Sequence, residues 1–235
     1  MKGVRKLLAA GVLLVLGAAF LYQIGLFGMV VWFNFRNPEI TPIMRATLVA
    51  QRQTDPQAQL HHEWVDWNDI STHLKRAVIA SEDTGFMDHD GIEWDAIRQA
   101  WEFNRRQSEA GKARRRGGST ITQQLAKNLF LSNDRNYLRK LQELILAYML
   151  EAVMSKQRIL ELYLNVAQWG RTTFGAQAAA RHYFRTDAAR LNISQSAQLA
   201  TMLPNPAWYD QHGVTPWLRS RMATIRARMR LVETP

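Results

Sequence analysis

Three stretches of this chain carry side chains that could do chemistry. In the first, Glu82 and Asp83 follow the apolar run 77–81 and lead into a turn bearing Gly85, Phe86, His89 and Gly91. A carboxylate can serve as a general base. At the C-terminal end of a helix it also opposes the helix macrodipole, a cost that calls for a compensating partner or function. The spacing admits a solvated helix end equally well. In the second stretch, Gly117-Gly118-Ser119-Thr120 follows a run of arginines and opens a helical pattern holding Gln123, Gln124, Lys127 and Asn128. Backbone N–H groups and the dipole at such a helix N-terminus suit an anion. No Gly-Lys-Ser/Thr follows at P-loop spacing, and an ordinary capped helix reads the same way. In the third, Arg135, Arg139, Lys140 and Glu143 place a carboxylate three and four residues from cations on one helical face. Alone, that is an ion-pair ladder worth roughly a few tenths of a kcal/mol.

Helices must position these groups. From Ser71 an apolar stripe of Leu74, Ala77 and Val78 runs into Glu82. Trp94, Ile97 and Trp101 recur at helical spacing beyond Gly91-Ile92 and predict a second apolar stripe. Thr120 and Gln123 fit a capping box, in which each side chain takes up an N–H that the helix start leaves unpaired. Leu138, Leu141, Ile145, Tyr148 and Ala152 mark a long amphipathic helix, and Ser155 caps the next one, which carries Ile159, Leu160, Tyr163 and Leu164. Ser194 opens another, stopped by Pro204 and Pro206. Thr215-Pro216 begins the last as N-cap and N1, with Leu218, Met222, Ile225, Met229 and Val232 along its stripe. Almost nothing alternates as a strand does, so the expected fold class is mainly α. Residues 105–118, rich in Arg, Lys, Gly and Ser, read as a mobile basic loop.

The 235 residues suffice for one anchor and one domain of ordinary size. Residues 7–35 hold no charge over 29 positions, whereas a bilayer core needs about 20 apolar residues. Lys2, Arg5 and Lys6 precede them, which places the tail in the cytoplasm and the bulk of the chain outside it. The expected organisation is a tail at 1–6, a transmembrane anchor at 7–35, a Pro-containing linker or entry segment at 36–68, and a catalytic domain at 69–235. The absence of cysteine excludes disulfides, thiolate metal sites and a thiol nucleophile. A formal charge of +10 suggests a polyanionic partner: nucleic acid, anionic lipid or a phosphorylated substrate.

Taken together and in this order, the three stretches resemble the signature motifs of the peptidoglycan glycosyltransferases, glycosyltransferase family 51. The first motif is carried by Glu82, Asp83, Phe86, His89 and Gly91, the second by residues 117–128, and the third by Arg139, Lys140 and Glu143. Ser155-Lys156, Ile159-Leu160-Glu161 and Tyr163-Leu164-Asn165 extend the likeness, which covers about 69–170 and, more weakly, 201–206. The resemblance implies a lysozyme-like helical domain that polymerises lipid II into β-1,4 glycan strands with release of undecaprenyl pyrophosphate, without a transpeptidase domain. It implies a bacterial cytoplasmic (inner) membrane location with the catalytic domain on the periplasmic side. The partners it implies are lipid II, the growing glycan and membrane lipid, together with other cell-wall synthesis proteins, and not nucleic acid.

The same resemblance distributes the roles. Because an α-linked pyrophosphate donor gives a β product, the transfer inverts, and Glu82 is the expected base for the attacking hydroxyl. Lys127, Arg135, Arg139 and Lys140 are the expected pyrophosphate ligands. Glu143 is left with three roles: orienting those cations, stabilising an oxocarbenium-like centre, or helping to hold a divalent ion. Ser119, Thr120, Gln123 and Gln124 are expected to bind phosphate or sugar. Asp83, Phe86, His89 and Asn128 are expected in support. Mg2+ or Mn2+ on the pyrophosphate is the one cofactor the chemistry suggests. Two rivals remain: a hydrolase on the same fold, and a membrane-anchored basic protein that binds nucleic acid or anionic lipid.

Overall fold

Capping side chains start the helices of the domain. In the computed structural model, which describes residues 2–112, 117–132, 134 and 136–235, Ser71 Oγ accepts from His73 N at the head of helix α3 (Thr72–Glu82). Thr120 and Gln123 close the expected capping box ahead of α5 (Ile121–Phe130). Asn136 caps α6 (Tyr137–Val153), and Ser155 caps α7 (Lys156–Val166). Asn192, with Gln195 in a capping box, opens α9 (Ile193–Met202). The expected opener, Ser194, falls inside that helix because Asn192 offers a side-chain oxygen three residues before the Gln195 N–H. Thr215 caps α11 (Pro216–Arg228) with Pro216 at N1.

The chain forms two compact units, Met1–Arg36 and Asn37–Pro235. The first is helix α1 (Lys2–Phe35), of which Gly3–Phe35 is long and apolar enough to cross a membrane. The second unit holds the remaining helices. Residues 36–68, expected as an irregular entry, carry helix α2 (Pro42–Arg52), which packs against α5 and buries Ile43 and Met44. The strands among the described residues are two short ones: β1 (His61–His62) pairs in parallel with β2 (Thr173–Phe174), His61 opposite Thr173.

The core gathers around α5 and α7. α5 packs on both α6 and α7, while α3, α9 and α11 pack on one another. α7 is buried nearly all round through Ile159, Leu160, Leu162, Tyr163, Leu164 and Val166, as suits a helix at the centre of a domain. α8 (Ala176–Phe184) and α10 (Pro206–His212) complete the unit.

Two further expectations are corrected. α4 spans Trp94–Glu109, so the first part of the stretch expected to be a mobile loop is helical, while residues 113–116 lie outside the described residues. The apolar stripes expected on α4 and α6 turn mostly outward, with only Ile97 and Ile145 half-buried. Trp94, Trp101, Leu138, Leu141 and Tyr148 are exposed, and α6 instead buries Glu143, Leu146, Ala147 and Leu150.

Candidate active site

Glu82 is the last residue of α3, where packing against α9 fixes the helix end. Its Oε1 accepts from Ser81 Oγ at 3.0 Å and its Oε2 from Gln124 Nε2 of α5 at 3.0 Å. Ser81 Oγ also lies 3.2 Å from the Ala200 carbonyl of α9. Burial pushes the Glu82 carboxyl above the ordinary carboxylate range, while the bonds from Gln124 and Ser81 and the charge of Arg221 pull it back. A carboxylate so placed is a stronger base than one in water and still has donors to hold its ionised form.

Asp83 turns the other way. Its Oδ1 accepts from His89 Nε2 at 2.9 Å and its Oδ2 from the Ile121 N–H at 2.9 Å. A buried negative charge thus meets the N-terminus of α5, where the helix dipole favours it. The Gly91 N–H donates to His89 Nδ1 at 3.1 Å, which leaves the proton on Nε2, facing Asp83. Burial opposes charge on the imidazole, yet the hydrogen bond and charge of Asp83 raise its pKa above the ordinary value. Lys156 Nζ donates to the His89 carbonyl at 2.5 Å and to Glu151 Oε1 at 2.9 Å, and it sits 4.8 Å from the centre of the buried Phe86 ring. Thr122 Oγ1 donates to the same Glu151 oxygen at 2.6 Å. The turn after Glu82 is therefore pinned to α5, α6 and α7.

A second cluster lies on α5 and α6. Glu143 is buried, with Oε2 accepting from Arg139 Nη1 at 2.7 Å and Oε1 from Lys140 Nζ. Lys140 Nζ also donates to Ser119 Oγ at 3.0 Å. Burial lowers the Lys127 pKa; Arg139 and Lys140 add to that effect and Glu143 opposes it. Among the described residues the Lys127 ammonium makes no hydrogen bond. Three cations therefore share one buried carboxylate, leaving an excess of positive charge suited to a polyphosphate.

α5 joins the two clusters. Gln124 touches Glu82, and Lys127, three residues on and hence on the same face, reaches the field of Glu143. Ser119, Gln124, Lys127, Arg139 and Lys140 thus fall with the two glutamates. Thr120 and Gln123 do not present themselves to a ligand. Both are buried, Thr120 Oγ1 donates to the Gly91 carbonyl at 2.6 Å, and Gln123 Oε1 accepts from the Thr120 N–H. Phe86 and Asn128 are buried. Arg135 lies outside the described residues. Sequence reasoning missed Ser81, Tyr163 and Arg221. Tyr163 stood inside the matched Tyr-Leu-Asn stretch, but no local signal brings Arg221 of α11 to Glu82.

Among the described residues the carboxylate oxygens near the site already have partners. Both Glu143 oxygens are engaged by cations, and both Glu82 oxygens accept hydrogen bonds. Asp83, His89 and Glu93 bring potential ligand atoms within 4.8 Å of one another, but His89 and Asp83 are already paired with each other and with backbone N–H groups.

Comparison with known proteins identifies the family. The transglycosylase family model matches residues 47–230. A biosynthetic peptidoglycan transglycosylase of Bordetella pertussis is 59% identical over 230 residues, which cover 98% of this chain and 95% of that relative. Proteins with the same description from Herminiimonas arsenicoxydans and Methylobacillus flagellatus are 50% and 49% identical, and each match covers at least 99% of both chains.

Proposed function

Since the chain belongs to the transglycosylase family and is a peptidoglycan glycosyltransferase, we propose that Glu82 is its general base and that Lys127, Arg139 and Lys140, held by Glu143, receive the pyrophosphate of lipid II. The carrying observation is the division of labour along α5. At Gln124 it supports a buried, basic carboxylate; at Lys127 it enters a cluster with surplus positive charge.

The attacking 4-hydroxyl of one sugar gives its proton to Glu82 as it bonds to the anomeric carbon of the donor. The lipid pyrophosphate departs from the opposite face, so configuration inverts. Charge grows on the leaving phosphate as the bond breaks, and prepositioned cations stabilise that charge more in the transition state than in the ground state. Arg139 offers a planar fork and Lys127 and Lys140 offer point charges. Glu143 keeps these cations from repelling one another apart, which is the role its two ion pairs support among the three left open by the sequence. Asp83 and His89 hold the turn and the head of α5, and touch neither cluster's open side.

The apolar helix α1 serves as a single-pass anchor, with the basic tail in the cytoplasm and the catalytic unit on the periplasmic face of the inner membrane, where a lipid-linked substrate is presented. Polymerisation of fluorescent lipid II tests the site. Glu82→Gln is expected to lower the rate by about 10^2-fold or more while lipid II still binds. Near-normal turnover would refute the assignment.

A further inference from the structure

Tyr163 lies on α7 with its ring buried and its hydroxyl turned toward α5. That hydroxyl donates to Gln124 Oε1 at 2.8 Å, and the other end of the same amide, Nε2, donates to Glu82 Oε2 at 3.0 Å. A side-chain amide has nearly the same shape when turned end for end, so its neighbours decide its orientation. Reversed, Gln124 would present Oε1 to the Glu82 carboxylate and Nε2 to Tyr163. Two oxygens would then face each other unless Glu82 held a proton, and the buried Tyr163 O–H would lose its acceptor.

We propose that Tyr163 is a positioning residue for the proton-accepting step: its hydroxyl locks the Gln124 amide with the N–H end toward Glu82, and so holds Glu82 ionised and aimed. The proposal rests on the reading of Glu82 as the base. Tyr163 is well suited to the task because burial, reinforced by the charges of Glu82 and Asp83, raises its own pKa well above the ordinary value, so it stays a donor throughout the working range. Ser81 completes the arrangement from the other side, giving each oxygen of Glu82 one donor. Without the Tyr163 hydroxyl, Gln124 Oε1 loses its partner in the present orientation, whereas in the reversed one it can accept from a protonated Glu82. The lock that favours the ionised base is then gone.

The test is the pH dependence of lipid II polymerisation by the full-length enzyme in detergent. Tyr163→Phe is expected to move the acid limb of kcat to higher pH by about one unit, the equivalent of one hydrogen bond to a charged group. Activity should recover at high pH, and KM should stay unchanged. Added to Gln124→Leu, it should move the limb no further, because both act through one amide. A loss of kcat that is uniform across pH, or shifts that add in the double variant, would overturn the proposal. Gln124→Leu, which leaves Tyr163 in place, must itself raise the limb, and an unmoved limb in that variant overturns the proposal. Glu82→Gln in the same assay separates the two readings. An active E82Q enzyme refutes the base; an inactive one beside an unmoved Tyr163→Phe limb refutes only the relay.

Discussion

Glu143 and Glu82 are both largely enclosed, but their surroundings set opposite consequences for stability. Glu143 compensates Arg139 and Lys140 directly, and its charge offsets part of the repulsion on Lys127. Removing its charge leaves partly buried cations without a partner, and Glu143→Gln is expected to lose about 1–3 kcal/mol of stability by urea denaturation, along with activity. For Glu82, burial raises the folded-state pKa above that of the unfolded chain. Between those two values the native state binds more protons, so stability falls as pH rises through that window, and the penalty is complete above the folded pKa. Glu82→Gln removes that penalty. Its melting temperature, relative to the parent enzyme, should therefore rise as pH goes from acid to neutral. A difference independent of pH would show that Glu82 is not held against its charge.

At the level of elements, local features were legible and faces were not. The caps Thr120, Ser155 and Thr215 could be read because a cap bonds within three residues of itself. The position of α6 was equally legible, but its orientation was not. Leu138, Leu141 and Tyr148 suggest the inward face, yet the helix turns Glu143 inward, because Lys140 and Arg139 on the same helix neutralise it and Ser119, just ahead of α5, receives Lys140. Such a choice depends on groups brought together only by folding. The same holds for the candidate site: its motif residues were readable in order, whereas Ser81 and Arg221 became visible only once α3, α9 and α11 were packed. Two substitutions probe the element contacts. Gly91 has φ +85° and a Cβ there would lie 2.9 Å from Glu151 Cγ and 3.1 Å from the Ala147 carbonyl. Gly91→Ala should therefore destabilise by about 1–3 kcal/mol. Thr120→Ala removes an N-cap and the bond to the Gly91 carbonyl, and is expected to cost about 0.5–2 kcal/mol in thermal or chemical melts.

For the whole molecule, the prediction concerns sidedness. The chain has no cysteine, so a single introduced thiol reports its own location. Gln57→Cys, on an exposed part of the catalytic unit, should react with a membrane-impermeant maleimide in spheroplasts, while Lys6→Cys should react only after lysis. The reverse pattern would refute the proposed orientation. The unit itself is built so that one peptide bond separates two assignments: Glu82 faces Ser81 and Gln124, and Asp83, next in the chain, fastens the head of the helix that bears Gln124 and Lys127. This bears on how the chain can change length. A residue inserted or deleted between Ser81 and Ile92 would rotate either the carboxylate or its fastening out of reach. Length variation among functional variants should therefore be absent from 81–92, a pattern that an insertion library selected for glycan synthesis would display directly.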